Sequence, residues 1–68
     1  MRSFDLKILQ VIEESGINGI KVIDIIDKLE GKGVFYLLST YSAIRRLRRS
    51  RLVGSKKRDG ILYYFRDG

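Results

Sequence analysis

Between Ser39 and Arg58 the sequence sets eight basic residues, Arg45, Arg46, Arg48, Arg49, Arg51, Lys56, Lys57 and Arg58, and no acidic one. Arginine carries a planar fork that pairs with guanine O6 and N7 or with phosphate oxygens, and lysine carries a mobile point charge. A surface that only has to stay soluble intersperses the two signs. A block of one sign is the electrostatic footprint of a polyanion such as nucleic acid. The residues on either side are close to balanced, so this one segment holds the excess behind the formal net charge of +6.

Other chemistries are poorly supplied. The 68 residues include no cysteine and no histidine, which removes disulfides, thiolate nucleophiles, Cys/His zinc sites and imidazole bases. Asp24 and Asp27 stand three apart on a polar face, and Glu13 adjoins Glu14; both pairs read as solvated charge. Gly31-Lys32-Gly33 is too short for a phosphate-cradling loop. No enzymatic activity, metal or cofactor is therefore expected, and so small a core leaves little room for a small-molecule effector. A chain of this length buries only about 60% of its unfolded surface, so one compact domain over residues 1–68 is expected. The longest apolar run, Val34 to Leu38, is too short to span a bilayer, and the N-terminus lacks a signal-peptide pattern. The expectation is a soluble cytoplasmic protein with no membrane partner.

The elements that must carry the basic block can be read from periodicity. Phe4, Ile8, Val11 and Ile12 recur at helical spacing with Leu9 beside them, giving a first helix over 4–15 with an apolar stripe about 160° wide. Ser3 is its expected N-cap and Gly16 its stop. Leu6 falls outside the stripe, so this helix is also a candidate dimer surface. A second helix is expected over 20–30, with Val22, Ile23, Ile25, Ile26 and Leu29 on a broad apolar face. Val34 to Leu37 is β-prone and reads as a short strand. Ser39 then caps a third helix over 40–50, with Ala43, Ile44 and Leu47 inward and Ser42, Arg45, Arg46 and Arg49 outward. Leu52-Val53 opens a strand and Ile61 to Phe65 forms another, separated by a basic segment that ends in Asp59-Gly60, a strong tight-turn signal. Alternation puts Ile61, Tyr63 and Phe65 on one face, where Tyr63 and Phe65 are expected to pack into the core. Leu62 and Tyr64 fall on the other face, with the Tyr64 hydroxyl free to reach a phosphate.

The order is helix, helix, short strand, helix, hairpin: an α+β chain that resembles a winged-helix domain, the helix-turn-helix variant with a C-terminal β-hairpin wing. The segment Ala43-Ile44-Arg45-Arg46-Leu47-Arg48-Arg49-Ser50-Arg51-Leu52-Val53 resembles the recognition-helix region of PadR-like and MarR-like transcription regulators. Arg51 stands where that pattern has glycine. Asn18-Gly19-Ile20 is similar to the His-Gly-Tyr step that opens helix two in PadR-like proteins, and Tyr63-Tyr64-Phe65-Arg66 resembles the Tyr-Tyr-Arg run of the last wing strand. PadR-like regulators dimerise through helices that follow the wing, whereas this sequence ends at Gly68. A homodimer is therefore expected to use helix one, through Phe4, Leu6 and Leu9. Richness in isoleucine, lysine, arginine and tyrosine leans towards a thermophile, and the chain is similar to the small basic winged helices of archaeal viruses and plasmids.

The resemblance implies double-stranded DNA as partner. The third helix would enter the major groove, with Tyr41, Ser42, Arg45 and Arg46 facing bases and Arg49 serving base or backbone. Ser39, Thr40 and the free N–H groups at the helix start would take a phosphate. Lys56 and Lys57 in the wing would meet phosphates, and Arg58 a narrow minor groove. A sequence-specific transcription regulator is the leading expectation. Sequence-tolerant architectural binding to DNA or RNA comes second, and a protein-interaction winged helix third.

Overall fold

A computed structural model describes residues 1–67. It is an α+β arrangement of three helices and one antiparallel hairpin: α1 (Ser3–Glu14), a 3₁₀ turn (Gly16–Asn18), α2 (Val22–Lys28), α3 (Gly33–Arg49), β1 (Val53–Arg58) and β2 (Ile61–Arg66). The inward faces meet in one core. Ile8 and Ile12 come from α1, Val22 and Ile25 from α2, and Ala43, Ile44 and Leu47 from α3. Ile20, Val53 and Tyr64 close it from the hairpin side. Among the described residues, no helix is long and apolar enough to cross a membrane.

The sequence reading holds for α1, α2 and the hairpin to within a residue or two at most ends. It fails at Val34–Leu37, which belong to the first two turns of α3 and form no strand. Tyr36, Thr40, Ala43, Ile44 and Leu47 recur every three to four residues, so the inward stripe extends back from the basic half of the helix to Tyr36. That residue packs edge-on against Phe4 with ring centroids 5.6 Å apart. Tertiary burial of this stripe outweighs the β propensity of Val34 and Phe35. Ser39 consequently lies inside a helix and caps nothing; the residue before α3 is Lys32, with no side-chain cap.

The strand-like pairing expected at Val34 occurs instead between α1 and α2. Ile20 forms a one-residue antiparallel bridge to Tyr64, its N–H donating to the Tyr64 carbonyl at 2.9 Å and its carbonyl accepting from Tyr64 N–H at 2.8 Å. Gly19 makes this approach possible. Its φ of +80° and ψ of −180° lie in a region open essentially to glycine. A Cβ there would stand 2.9 Å from the Tyr64 carbonyl oxygen.

Both α2 and α3 end on a left-handed residue that is not glycine. Glu30 has φ 56°, with Gly31 N–H bonded to the Ile26 carbonyl and Glu30 N–H to that of Asp27. Arg51 has φ 61°, with Leu52 N–H bonded to Leu47 and Arg51 N–H to Arg48. Each is the paired-bond helix ending in which glycine is usual. The chain therefore turns out of α3 with the expected geometry even though Arg51 replaces the expected glycine. In the hairpin, β1 continues as far as Arg58 and the connection is only Asp59-Gly60, both at positive φ. This is the two-residue turn whose twist suits antiparallel strands. Lys56, Lys57 and Arg58 accordingly lie in the strand rather than in a loop.

Candidate nucleic-acid interface

Strand alternation and helix periodicity together decide which cations share a surface. On α3, Tyr41, Arg45 and Arg48 fall on one line at i, i+4 and i+7, and Ser42, Arg45 and Arg49 on the adjoining one. All five are exposed. Tyr41, Arg45, Arg48 and Arg49 border an open cleft of about 450 Å³ whose floor is Ile44 and whose far wall is Tyr64 of β2. A second groove of about 500 Å³ runs from Tyr41 along the hairpin, between Lys21 and Ile23 of the α2 region and Lys57, Ile61 and Leu62 of the wing. Tyr41 is the ridge common to both. The resulting face carries Lys21, Arg45, Arg48, Arg49 and Lys57, and no acidic side chain lines either hollow; of these cations Lys21 alone has an acidic partner, Asp24 at 3.8 Å.

Tyr64 is placed oppositely to the sequence reading. It is 4% exposed and belongs to the core, whereas Tyr63 and Phe65 are only half-buried. The reason is the register: Tyr64 pairs with Ser55 on the face that also carries buried Val53, and its backbone holds the Ile20 bridge. Burial pushes the Tyr64 hydroxyl above the ordinary phenol range; Tyr41 adds to this and Arg48 opposes it. The group is therefore protonated at neutral pH. Its ring wall and the Tyr41 side chain give the cleft two aromatic edges beside three guanidinium groups.

Other members of the expected site are committed elsewhere. Arg46 donates to Asp5 through Nε at 2.9 Å and Nη2 at 2.7 Å, a two-pronged pair joining α3 to α1. Asp5 is 3% exposed. The hydrogen bonds from Arg46 hold its carboxyl below the usual carboxylate range despite the opposing cost of burial. The Arg46 fork is thus occupied within the protein rather than presented to bases. Thr40 is fully buried and its Oγ1 donates to the Tyr36 carbonyl at 2.9 Å, so it cannot meet a phosphate. Ser39 is exposed, but in mid-helix, where backbone N–H groups are already bonded.

The wing divides by alternation. Lys57 is on the face shared with Leu62 and Tyr41. Lys56 and Arg58 are on the other face, over Phe65 at 5.6 Å and Tyr63 at 3.9 Å from the ring centroids. Their head groups donate to the Ile17 carbonyl at 2.7 Å and the Asn18 carbonyl at 2.6 Å. Lys56 and Arg58 therefore strap the 3₁₀ turn to the hairpin.

Of the residues expected at a dimer surface, Phe4 packs edge-on against Tyr36 and Leu9 packs against the core, leaving Leu6 exposed alone on α1. Two contributors to the basic face escaped the sequence reading. Arg48 was legible in its i+7 spacing from Tyr41. Lys21 was not, because only the fold brings the start of α2 beside the wing. No family model, curated protein sequence or solved structure matches the chain.

Proposed function

We propose that this chain is a winged-helix protein that binds double-stranded DNA and regulates transcription by occupying a specific site. One observation carries the reading: Arg45, Arg48 and Arg49 converge with two tyrosines on an acid-free cleft that continues along the hairpin to Lys57. Guanidinium groups there release condensed counterions on meeting phosphates, which supplies most of the affinity. Arg45 and Ser42, both exposed and three residues apart on one line of α3, are the side chains assigned to base edges. Arg48, Lys57 and Lys21 line the groove for the phosphate backbone. A module of this size buries roughly 600–1,000 Å² on DNA, enough for modest specificity from one copy.

A second reading, sequence-tolerant binding along the backbone, is favoured by the position of the arginines in the second half of α3. In helix-turn-helix proteins it is the N-terminal turns of the recognition helix that meet base edges. Direct competition separates the readings. A labelled duplex is titrated in the presence of excess random duplex, and again with single-stranded DNA or structured RNA of equal length as competitor. Site-specific DNA binding predicts that a selected duplex survives the random competitor and that neither single-stranded DNA nor RNA displaces it. Equal displacement by random duplex establishes the tolerant mode, and preferential displacement by RNA overturns DNA as the partner.

A further inference from the structure

The first half of α3 is apolar on its outer face as well as its inner one. Val34, Leu37 and Leu38 recur at i, i+3 and i+4, and Phe35 lies beside them. Phe35 is 86% exposed, Val34 68% and Leu38 57%. From Gly33 to Ile44 there is no charged residue at all, in a chain that is 32% charged. A helix that is apolar all round belongs in an interior, and Val34, Phe35 and Leu38 on the outer face of this half of α3 stay exposed.

We propose that two copies of the chain cover it for each other, as a two-fold dimer in which the first halves of the α3 helices pack antiparallel through Val34, Phe35 and Leu38. Together with Leu37 these side chains expose roughly 500 Å² per copy, so the pair can bury at most roughly 1,000 Å², the lower limit for a specific interface. The charge also favours this occupant. Two chains of net charge +6 repel if their basic faces meet. Antiparallel pairing centred near Tyr36 sends the two arginine clusters to opposite ends. At about 1.5 Å per residue the clusters around Leu47 lie about 33 Å apart, several screening lengths at physiological salt. That separation is also about one turn of B-form DNA, the spacing at which dimeric helix-turn-helix proteins engage successive half-sites. The half-site spacing rests on the DNA-binding reading; the dimer itself does not. The surface expected on α1 is not needed, since Phe4 and Leu9 are used within the monomer.

The test is sedimentation velocity of the full chain from low to high micromolar concentration. Wild-type protein is expected to pass to the mass of two chains. Phe35→Glu and, separately, Leu38→Lys are expected to stay monomeric with an unchanged circular dichroism spectrum, both sites being exposed. Leu6→Glu on α1 is expected to dimerise like wild type. A wild-type monomer at every concentration overturns the proposal. So does a dimer that survives both α3 substitutions, or one that Leu6→Glu dissolves. Anisotropy with a labelled duplex runs in parallel. Duplex binding by a strictly monomeric wild type refutes the dimer and leaves the DNA reading standing. A dimer with no duplex affinity at low salt refutes the DNA reading and leaves the dimer. If both stand, half-sites one turn apart should bind tighter than half-sites a half-turn apart, and Phe35→Glu should abolish that preference.

Discussion

Salt dependence separates the arginines that would grip a duplex from the one that holds two helices together. Within the basic segment, Arg46 is committed to Asp5, and Lys56 and Arg58 are tied to carbonyls of the 3₁₀ turn. Arg45, Arg48, Arg49, Arg51 and Lys57 have no ion-pair partner among the described residues. Each phosphate neutralised contributes about −0.9 to the slope of log K against log salt, so the four of these other than the base-facing Arg45 give a slope of about −3.6. This corresponds to about a 150-fold loss of affinity between about 50 and about 200 mM salt. Arg48→Ala should flatten the slope by about one unit. Arg46→Ala should leave the slope unchanged and lower the melting temperature instead. The assay is fluorescence anisotropy with a short labelled duplex across a salt series, each variant first shown to be folded at the assay temperature. A wild-type slope of about −7, with Arg46→Ala flattening it as much as Arg48→Ala does, would refute this division, because every base of the segment would then be a contact.

Three stability predictions follow from the helix ends, the buried ion pair and the close backbone approach. Asp5→Asn should cost about 2 kcal/mol at neutral pH, below the range for a fully buried pair because Arg46 is partly exposed. Because the folded-state carboxyl titrates below its unfolded value of about 3.9, that contribution is complete above about pH 4 and is lost as pH falls through the folded value. Urea melts should therefore show wild type and Asp5→Asn converging in acid, and a gap that widens in acid would contradict the pairing. Arg51→Gly should stabilise the protein by about 0.5–1 kcal/mol, since a left-handed residue costs an L side chain more than glycine loses in chain entropy; a lower thermal midpoint would count against the helix ending described. Gly19→Ala should destabilise by about 2–3 kcal/mol through its disallowed dihedrals and its encounter with the Tyr64 carbonyl, and a neutral outcome in chemical denaturation would mean that the Ile20 bridge is dispensable.

Most of the architecture could be read before the fold was seen, because α1, α2 and the basic half of α3 each show a clean apolar stripe and Asp59-Gly60 marks the hairpin turn. The run Val34 to Leu38 could not be read the same way. Five apolar residues in succession satisfy both helical and strand periodicity, and the arbiter was the contact of Tyr36 with Phe4 across the core. The two faces of β2 posed a similar ambiguity. Tyr63, Tyr64 and Phe65 are all aromatic, so alternation alone does not say which face is inward. The buried Val53 face and the Ile20 bridge decided for Tyr64. The location of the candidate site on the basic segment was legible from charge alone. The division of labour within it was not. Arg46 meets an aspartate 41 positions away, and Arg58 a carbonyl 40 positions away. No local pattern distinguishes them from Arg45 or Lys57, which the fold leaves facing outward.

The most direct measurement is a two-dimensional amide NMR titration of the isotope-labelled protein with a short duplex. Binding as proposed predicts that the largest shift changes and losses of intensity run through Tyr41 to Arg49 and continue onto Lys57, Leu62 and Lys21. The outer faces of α1 and α2, at Gln10, Glu14, Asp27 and Lys28, should stay at their free positions. Perturbations centred on α1, or spread evenly over the surface with no focus on the cleft between α3 and the hairpin, would contradict the assignment of that face to DNA.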